Sequence, residues 1–247
     1  MVTLRDDERL DFLFTDESMQ IIQSPTVFSY SIDAVLLANF ASIPLKRGKI
    51  IDLCTGNGVI PLLISREVDN AVSITGVEIQ ERLYDMAVRS IEYNNKAGQI
   101  TMIHGDIIDM PNKFGNRKFD LVTVNPPYFQ TSHPNHLNKN DYLTIARHEV
   151  MATLDDVIQV ASKLVKSGGK VAMVHRPGRL TDILTCMREY KLEPKRMRFV
   201  YPKQGKEANI LLIEAIRDGK PDLKLLPPLY VFNHDGTYTE ELNNGGY

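Results

Sequence analysis

The stretch KIIDLCTGNGVIPLLISREV, Lys49 to Val68, decides how this chain folds. KIIDL (49–53) is a short β-branched run that reads as a strand. VIPLLISREV (59–68) carries its apolar residues at helical spacing. The loop between them holds Gly56 and Gly58. Glycine lets a backbone turn sharply and approach a ligand closely. A helix N-terminus also offers unpaired N–H groups to an anion. The loop is therefore either a structural turn or a ligand cradle. Two residues argue against a dinucleotide. Pro61 stands where the third glycine of G-x-G-x-x-G belongs. Asp52, on the strand just before the loop, would repel a pyrophosphate. A zwitterion with a carboxylate and a nearby cation suits such a loop better.

The strand and helix signals continue downstream. SITGVEI (73–79), ITMIHG (100–105), FDLVTV (119–124) and KVAMVH (170–175) read as strands. QERLYDMAVRSIEYNNKAG (80–98) reads as a helix stopped by Gly98. LDDVIQVASKLVKSGG (154–169) reads as a helix with a glycine exit, and RLTDILTCMREYK (179–191) as another. KRMRFVYP (195–202) and NILLIEAIR (209–217) are separated by a short connection, so they are expected to pair antiparallel. Upstream, SIDAVLLANFA predicts a helix with Ser31 as N-cap. LDFLF and MQIIQ predict a hairpin around TDES. The fold class expected is α/β, with a doubly wound, mostly parallel seven-stranded sheet and one antiparallel strand near the edge. Residues 1–48 are expected to form an N-terminal hairpin and helix extension packed on the core. Residues 49–247 form the main domain.

Composition narrows the function classes. The chain has 247 residues, is 43% hydrophobic and 24% charged, and carries a formal net charge of −2. That excludes a globally basic nucleic-acid binder but leaves room for a local basic face. Cys54 and Cys186 belong to no Cys/His cluster, so no metal is expected. No apolar run is long enough to span a membrane. The acidic start MVTLRDDERLDFLF has no signal-peptide core, so a cytoplasmic location is expected.

Ligands of a doubly wound sheet bind outside the carboxyl ends of the strands. Those ends are informative here. Glu78 ends the second strand and can accept two ribose hydroxyls, or simply open the next helix. Asp106 follows the third strand. It can accept an exocyclic amine, with Ile107 against the ring, or cap a helix. The fourth strand ends in VNPPYFQ (124–130). Asn125 carries an amide carbonyl and amine. Pro126 and Pro127 have no N–H and a fixed φ, so they form a rigid, acceptor-rich notch. Tyr128 offers a flat ring to a planar base.

The ordered set DLCTGNG, VEI, GDI and NPPY resembles the class I S-adenosylmethionine-dependent methyltransferases that modify planar amino groups. NPPY-type motifs mark the branch acting on adenine N6, guanine N2 and glutamine N5. A narrower resemblance rests on FSYSIDAVLLANFA, NPPYFQ, ARHE and DGTYTEEL. These are similar to the bacterial tRNA1(Val) (adenine37-N6)-methyltransferase family.

The resemblance implies a Rossmann-like methyltransferase fold, S-adenosyl-L-methionine as cofactor and a tRNA as partner. It implies no metal, no membrane, and a monomer or weak dimer. Gly56 and Gly58 would admit the methionine moiety, with Asp52 near its ammonium. Ser31 and Asp33 would close over that end, unless they only cap their helix. Glu78 would hold the ribose, and Asp106 and Ile107 the adenine. Thr55, Ile79 and Asn125 complete the cofactor set. Asn125, Pro126, Pro127 and Tyr128 would be catalytic.

For the substrate, the candidates are Arg147, His148, Arg176 and Lys203. They belong to a basic rim with KRMRF (195–199), PKQGK (202–206), Arg179 and Arg188, which is either an RNA surface or ordinary solvated charge. The rival readings are a protein glutamine N5 or rRNA guanine N2 methyltransferase. A non-catalytic S-adenosylmethionine- or RNA-binding module is the non-enzyme alternative.

Overall fold

Ile50 and Ile51 are both fully buried, and they belong to core clusters on opposite faces of one sheet. A strand alternates its side chains between faces, so two adjacent buried residues require cover on both sides. The computed structural model describes residues 2–14, 16–27, 29–127 and 152–243 and supplies that cover.

Isoleucines 50 and 51 lie on β3 (Gly48–Leu53), at the middle of the sheet. On one side β3 pairs in parallel with β4 (Val72–Glu78), which pairs with β5 (Ile100–His104). On the other side it pairs with β6 (Phe119–Val124), which pairs with β7 (Val165–His175). β9 (Ile210–Arg217) runs antiparallel to β7 and to β8 (Leu192–Tyr201). The seven expected strands thus all form, one of them reversed. Two further strands, β10 (Lys224–Leu225) and β11 (Leu229–Tyr230), pair with β8, so the sheet has nine strands among the described residues. At two residues each, they are too short to leave an apolar run that sequence can show.

Helices α1 (Ile32–Phe40) and α2 (Val59–Glu67) cover one face, joined by Ile91 of α3 (Glu81–Tyr93). The other face is covered by α4 (Met110–Phe114), α5 (Leu154–Leu164) and α6 (Leu180–Glu189). α7 (Glu240–Asn243) lies near the C-terminus. No helix among the described residues is long and apolar enough to cross a membrane.

The expected hairpin also forms, from β1 (Arg9–Leu13) and β2 (Asp16–Gln23). It rests on α3: Ile22 packs with Leu83 and Met86, and its N–H donates to Ser90 Oγ at 3.0 Å.

Two helices end earlier than their sequences suggest. α3 stops at Tyr93, not at Gly98, because Asn95 turns left-handed at φ 55° and its N–H returns to the Glu92 carbonyl at 3.0 Å. Asn tolerates that conformation. α5 stops at Leu164, and the expected glycine exit lies inside β7. Val165 is already paired with Phe119, and the register shifts before Leu121 meets Lys170. Gly169 is there for close approach: a Cβ would sit 2.8 Å from Val165 Cγ2 and 3.0 Å from the Asp120 carbonyl.

Candidate active site

The carboxyl ends of β3 to β8 share one edge of the sheet, and β9 starts there. Strand order therefore sets out the site along a line. From one end come His104 at the end of β5 and Asp106 after it, Glu78 on β4, the glycine loop after β3, Asn125 after β6, His175 on β7 and Lys203 after β8. Leu53 pairs with Val124, so the glycine loop and the Asn125 notch leave adjacent strands side by side.

The loop is held by its own surroundings. The Thr55 N–H donates to the Val77 carbonyl at 3.0 Å, and the Gly56 N–H donates to Glu78 Oε2 at 2.8 Å. Gly56 sits at φ 59° with open space where a Cβ would be. Gly58, at φ 89°, meets the Cβ of Ala87 at 3.3 Å across α3 and opens α2. One glycine thus faces free space, and the other lets two helices close up. Asn57 is buried, and its Nδ2 donates to the Ile22 carbonyl at 3.0 Å, tying the loop to the hairpin.

Asp52 corrects the sequence reading. It is fully buried, and Thr123 Oγ1 donates to its Oδ1 at 2.6 Å while Thr55 Oγ1 donates to its Oδ2. It braces the loop against β6 from inside the sheet instead of offering its carboxylate to a ligand ammonium. Burial pushes its carboxyl up to about 7, against the two hydroxyl donors that lower it. Between the ordinary carboxylate value and about 7, the folded form holds a proton that the unfolded chain has released. Stability from this group is therefore full below the ordinary carboxylate value and is lost as pH rises through about 7. Asp52→Asn removes the charge and keeps the shape. Its thermal midpoint should gain several degrees on the wild type's between about pH 4 and pH 8. A difference that stays constant over that range would refute ionisation of Asp52 there.

Glu78 is buried at the cleft. Its Oε1 accepts the Gln80 N–H at 2.9 Å and its Oε2 accepts the Gly56 N–H. Burial raises its carboxyl above the usual glutamate value, opposed by these N–H donors. A carboxylate has about four acceptor positions, and the backbone N–H groups of Gln80, Gly56 and Ile79 occupy part of them, which leaves some acceptor capacity free. Ile79 is half-buried, and its carbonyl is 2.9 Å from His104 Nε2, whose ring stacks on Tyr84.

Asp106 caps the short turn at Ile107–Asp109 through Oδ1 and the Ile108 N–H at 3.0 Å. Its capping role is thus real, and Oδ2 has no part in it. The Ile107 side chain is a further correction. It is buried in the core, and the exposed apolar group beside Asp106 is Ile108.

Asn125 is half-buried, Pro126 buried and Pro127 exposed where the chain leaves β6. The ladder to β7 ends at Val124 and Met173. His175, on the adjoining end of β7, was missed by sequence reasoning. It is buried, its Nδ1 accepts the Arg176 N–H at 2.8 Å, and burial lowers it to about 4, so the ring is neutral. A histidine closing an apolar strand is its only sequence signal. Tyr128, Arg147 and His148 lie outside the described residues.

Ser31 stands at the N-cap of α1 without a side-chain capping bond, and Asp33 is buried in the first turn. The neighbouring Tyr30 accepts the Phe14 N–H at 3.1 Å, Phe14 meets Tyr238 edge-on, and Tyr238 stacks on Phe232. The Phe232 N–H reaches the Pro202 carbonyl at 2.9 Å. This chain of contacts leads from the start of α1 to the carboxyl end of β8.

The basic rim divides. Arg176 is exposed on the carboxyl edge, with Nη1 on the Asn209 carbonyl at 2.9 Å, and Lys203 is exposed in the turn after β8. Arg198 is buried, paired with Glu241 and donating to the Pro227 carbonyl. Arg196 lies over the Phe40 ring and donates to the Phe40 carbonyl. Arg188 pairs with Glu193 at the opposite edge. These three arginines are structural or distant and leave the rim. Among the described residues no group of three or more His, Cys, Asp or Glu is placed to hold a metal ion.

Known proteins resemble this chain in sequence and in fold. A tRNA1(Val) (adenine(37)-N6)-methyltransferase of Porphyromonas gingivalis is 29% identical over 211 residues, covering 82% of this chain and 80% of that protein. The crystal structure of a predicted O-methyltransferase from Agrobacterium tumefaciens superposes with a TM-score of 0.67 at 22% identity, covering 86% of this chain and 96% of that one. Geranyl diphosphate methyltransferase in complex with SAM shares the fold at a TM-score of 0.53 and 12% identity, covering 74% and 84%. The methyltransferase small domain model matches residues 18–187, from the hairpin through the glycine loop and Asn125 to α6. With the glycine loop and the amide–proline notch on adjacent strands inside that match, the chain belongs to the methyltransferase small domain family.

Proposed function

We propose that this enzyme transfers a methyl group from S-adenosylmethionine to the exocyclic N6 of an adenine in tRNA, at a position like A37 of tRNA1(Val). One observation carries the reading. The open glycine loop and Asn125-Pro126-Pro127 leave neighbouring strands at the same edge, so a methyl donor over one faces an amino group in the other. The similarity to the Porphyromonas enzyme, over most of both chains, supports the acceptor.

The residues fit the cofactor. Open space over Gly56 suits the methionine end, the spare acceptor positions of Glu78 suit the ribose, and Asp106 suits the adenine. When bound, the cofactor supplies an electrophilic methyl on a sulfonium, which leaves as a neutral thioether. No metal is then needed to stabilise the departing group.

The chain's own work is positioning and charge placement. The N6 lone pair of adenine is delocalised into the ring and is a poor nucleophile. Asn125 Oδ1 and the Pro126 carbonyl accept the two N6 hydrogens and favour a pyramidal nitrogen. The lone pair then points toward the β3 loop. No strong base is required before transfer, because the methylated nitrogen is itself acidic. Tyr128 stacks on the target base, worth about 1–3 kcal/mol. A loop adenine can be splayed out to reach it. A tRNA substrate places the reaction in the cytoplasm.

The test is transfer by the purified enzyme to unmodified tRNA, read by nucleoside mass spectrometry. N6-methyladenosine in a valine tRNA is expected. Methylated guanine, or methylglutamine in a protein substrate, would replace this acceptor with another.

A further inference from the structure

The turn after β8 and the segment after β11 enclose a groove of about 760 Å³, lined by Lys203, Lys206, Phe232, His234 and Glu207. The residues assigned to the cofactor and the reacting amine lie elsewhere. Its one aromatic lining residue is Phe232, which Tyr238 backs by stacking on it at 5.1 Å with the planes 19° apart. The two rings stay 38% and 43% exposed.

The pair is held in place. Phe14 abuts Tyr238 edge-on at 5.2 Å, and Asn233 and Thr237 close a turn with an N–H to carbonyl bond of 2.8 Å. Asp235 Oδ1 accepts both the N–H and the hydroxyl of Thr237. The motif DGTYTEEL is thus a rigid mount for Tyr238. Two lysines, Lys203 and Lys206, line the same groove as Phe232. Among the described residues neither has an ion-pair partner. Glu207 is the one acidic residue among those lining the groove.

We propose that this groove is an RNA subsite taking an unpaired nucleotide that flanks the methyl acceptor. Its base lies on the Phe232 ring, which Tyr238 backs, and its phosphate lies between Lys203 and Lys206. The proposal rests on the reading that the acceptor is RNA. Three points favour it. Stacked exposed aromatics beside a basic rim are how proteins hold single-stranded nucleic acid. The groove shares the carboxyl edge with Asn125. Also, β8 stands three ladder steps from β6, about 14 Å at ordinary strand spacing, a distance that a short run of splayed backbone covers.

The test is binding of an unmodified tRNA transcript by the intact protein, followed by fluorescence anisotropy at several salt concentrations. The double variant K203E/K206E should bind at least tenfold more weakly and lower the slope of log affinity against log salt by about two. Phe232→Ala should weaken binding about fivefold and leave the slope unchanged. Calorimetry should give both variants wild-type affinity for S-adenosylmethionine, which shows that they are folded. Wild-type affinity for tRNA in both variants, from an enzyme that methylates tRNA, overturns the subsite. A wild-type enzyme that methylates no tRNA overturns the RNA reading beneath it.

Discussion

Asn125→Ala should lower the rate of methyl transfer by about 10²–10³-fold and leave S-adenosylmethionine affinity within about threefold of wild type. The asymmetry follows from position. Asn125 stands just past the last paired residue of β6, half-buried, next to a proline with no N–H to offer. In the proposed mechanism its amide oxygen accepts from the amino group of the acceptor, and that contact matters most while the nitrogen becomes pyramidal and positive. An interaction made mainly in the transition state lowers the rate when removed and hardly touches ground-state binding. The bracing of the glycine loop lies with Asp52, Thr55 and Thr123 and survives the substitution. Single-turnover kinetics with calorimetry on the same sample separate the two effects. Turnover near the wild-type rate would remove Asn125 from the mechanism.

Glu78→Ala is expected to do the opposite, weakening S-adenosylmethionine about 100-fold. Two ribose hydroxyls on a carboxylate are charge-assisted bonds of about 1.5–3 kcal/mol each. The substitution also strips the Gly56 and Gln80 N–H groups of their acceptor. The pH dependence has a definite sign. Burial holds the carboxyl above the usual glutamate range, so Glu78 takes up a proton at milder acidity than an exposed glutamate. Protonation removes acceptor capacity. Cofactor affinity should therefore fall as pH drops through that raised value, and the decline should vanish in Glu78→Gln. Titration calorimetry across the acidic range reads both. A loss under threefold in Glu78→Ala would detach Glu78 from the cofactor.

Charge on a strand shows how far sequence carries. KRMRF reads as a basic stripe, yet Arg196 and Arg198 turn inward. Glu214, which pairs with Arg196, stands across from it on the next strand, and Glu241, which pairs with Arg198, lies far along the chain. Nothing local distinguishes an arginine that snorkels to solvent from one that meets a distant glutamate. Asp52 teaches the same lesson. Its place at a strand end suggests a ligand contact, and Thr123, distant in sequence, takes its carboxylate instead. Gly98 and Gly169 mislead for another reason. A glycine near a helix end reads as a stop, whereas Asn95 makes the turn in one case and close packing demands the glycine in the other.

The sequence by itself determined the strand–helix alternation, the loop around Gly56 and Gly58, the acidic residue at Glu78 and the notch at Asn125. Each is a local pattern of apolar periodicity or backbone chemistry, and such patterns survive whatever packs around them. The tertiary structure alone decided that Asp52 is a brace, that Ile108 and not Ile107 is exposed, that His175 stands beside the notch, and that Phe232, Lys203 and Lys206 meet in one groove. Those outcomes depend on strand order and on which distant residue fills each buried space, and burial and partnership are set only when the sheet closes.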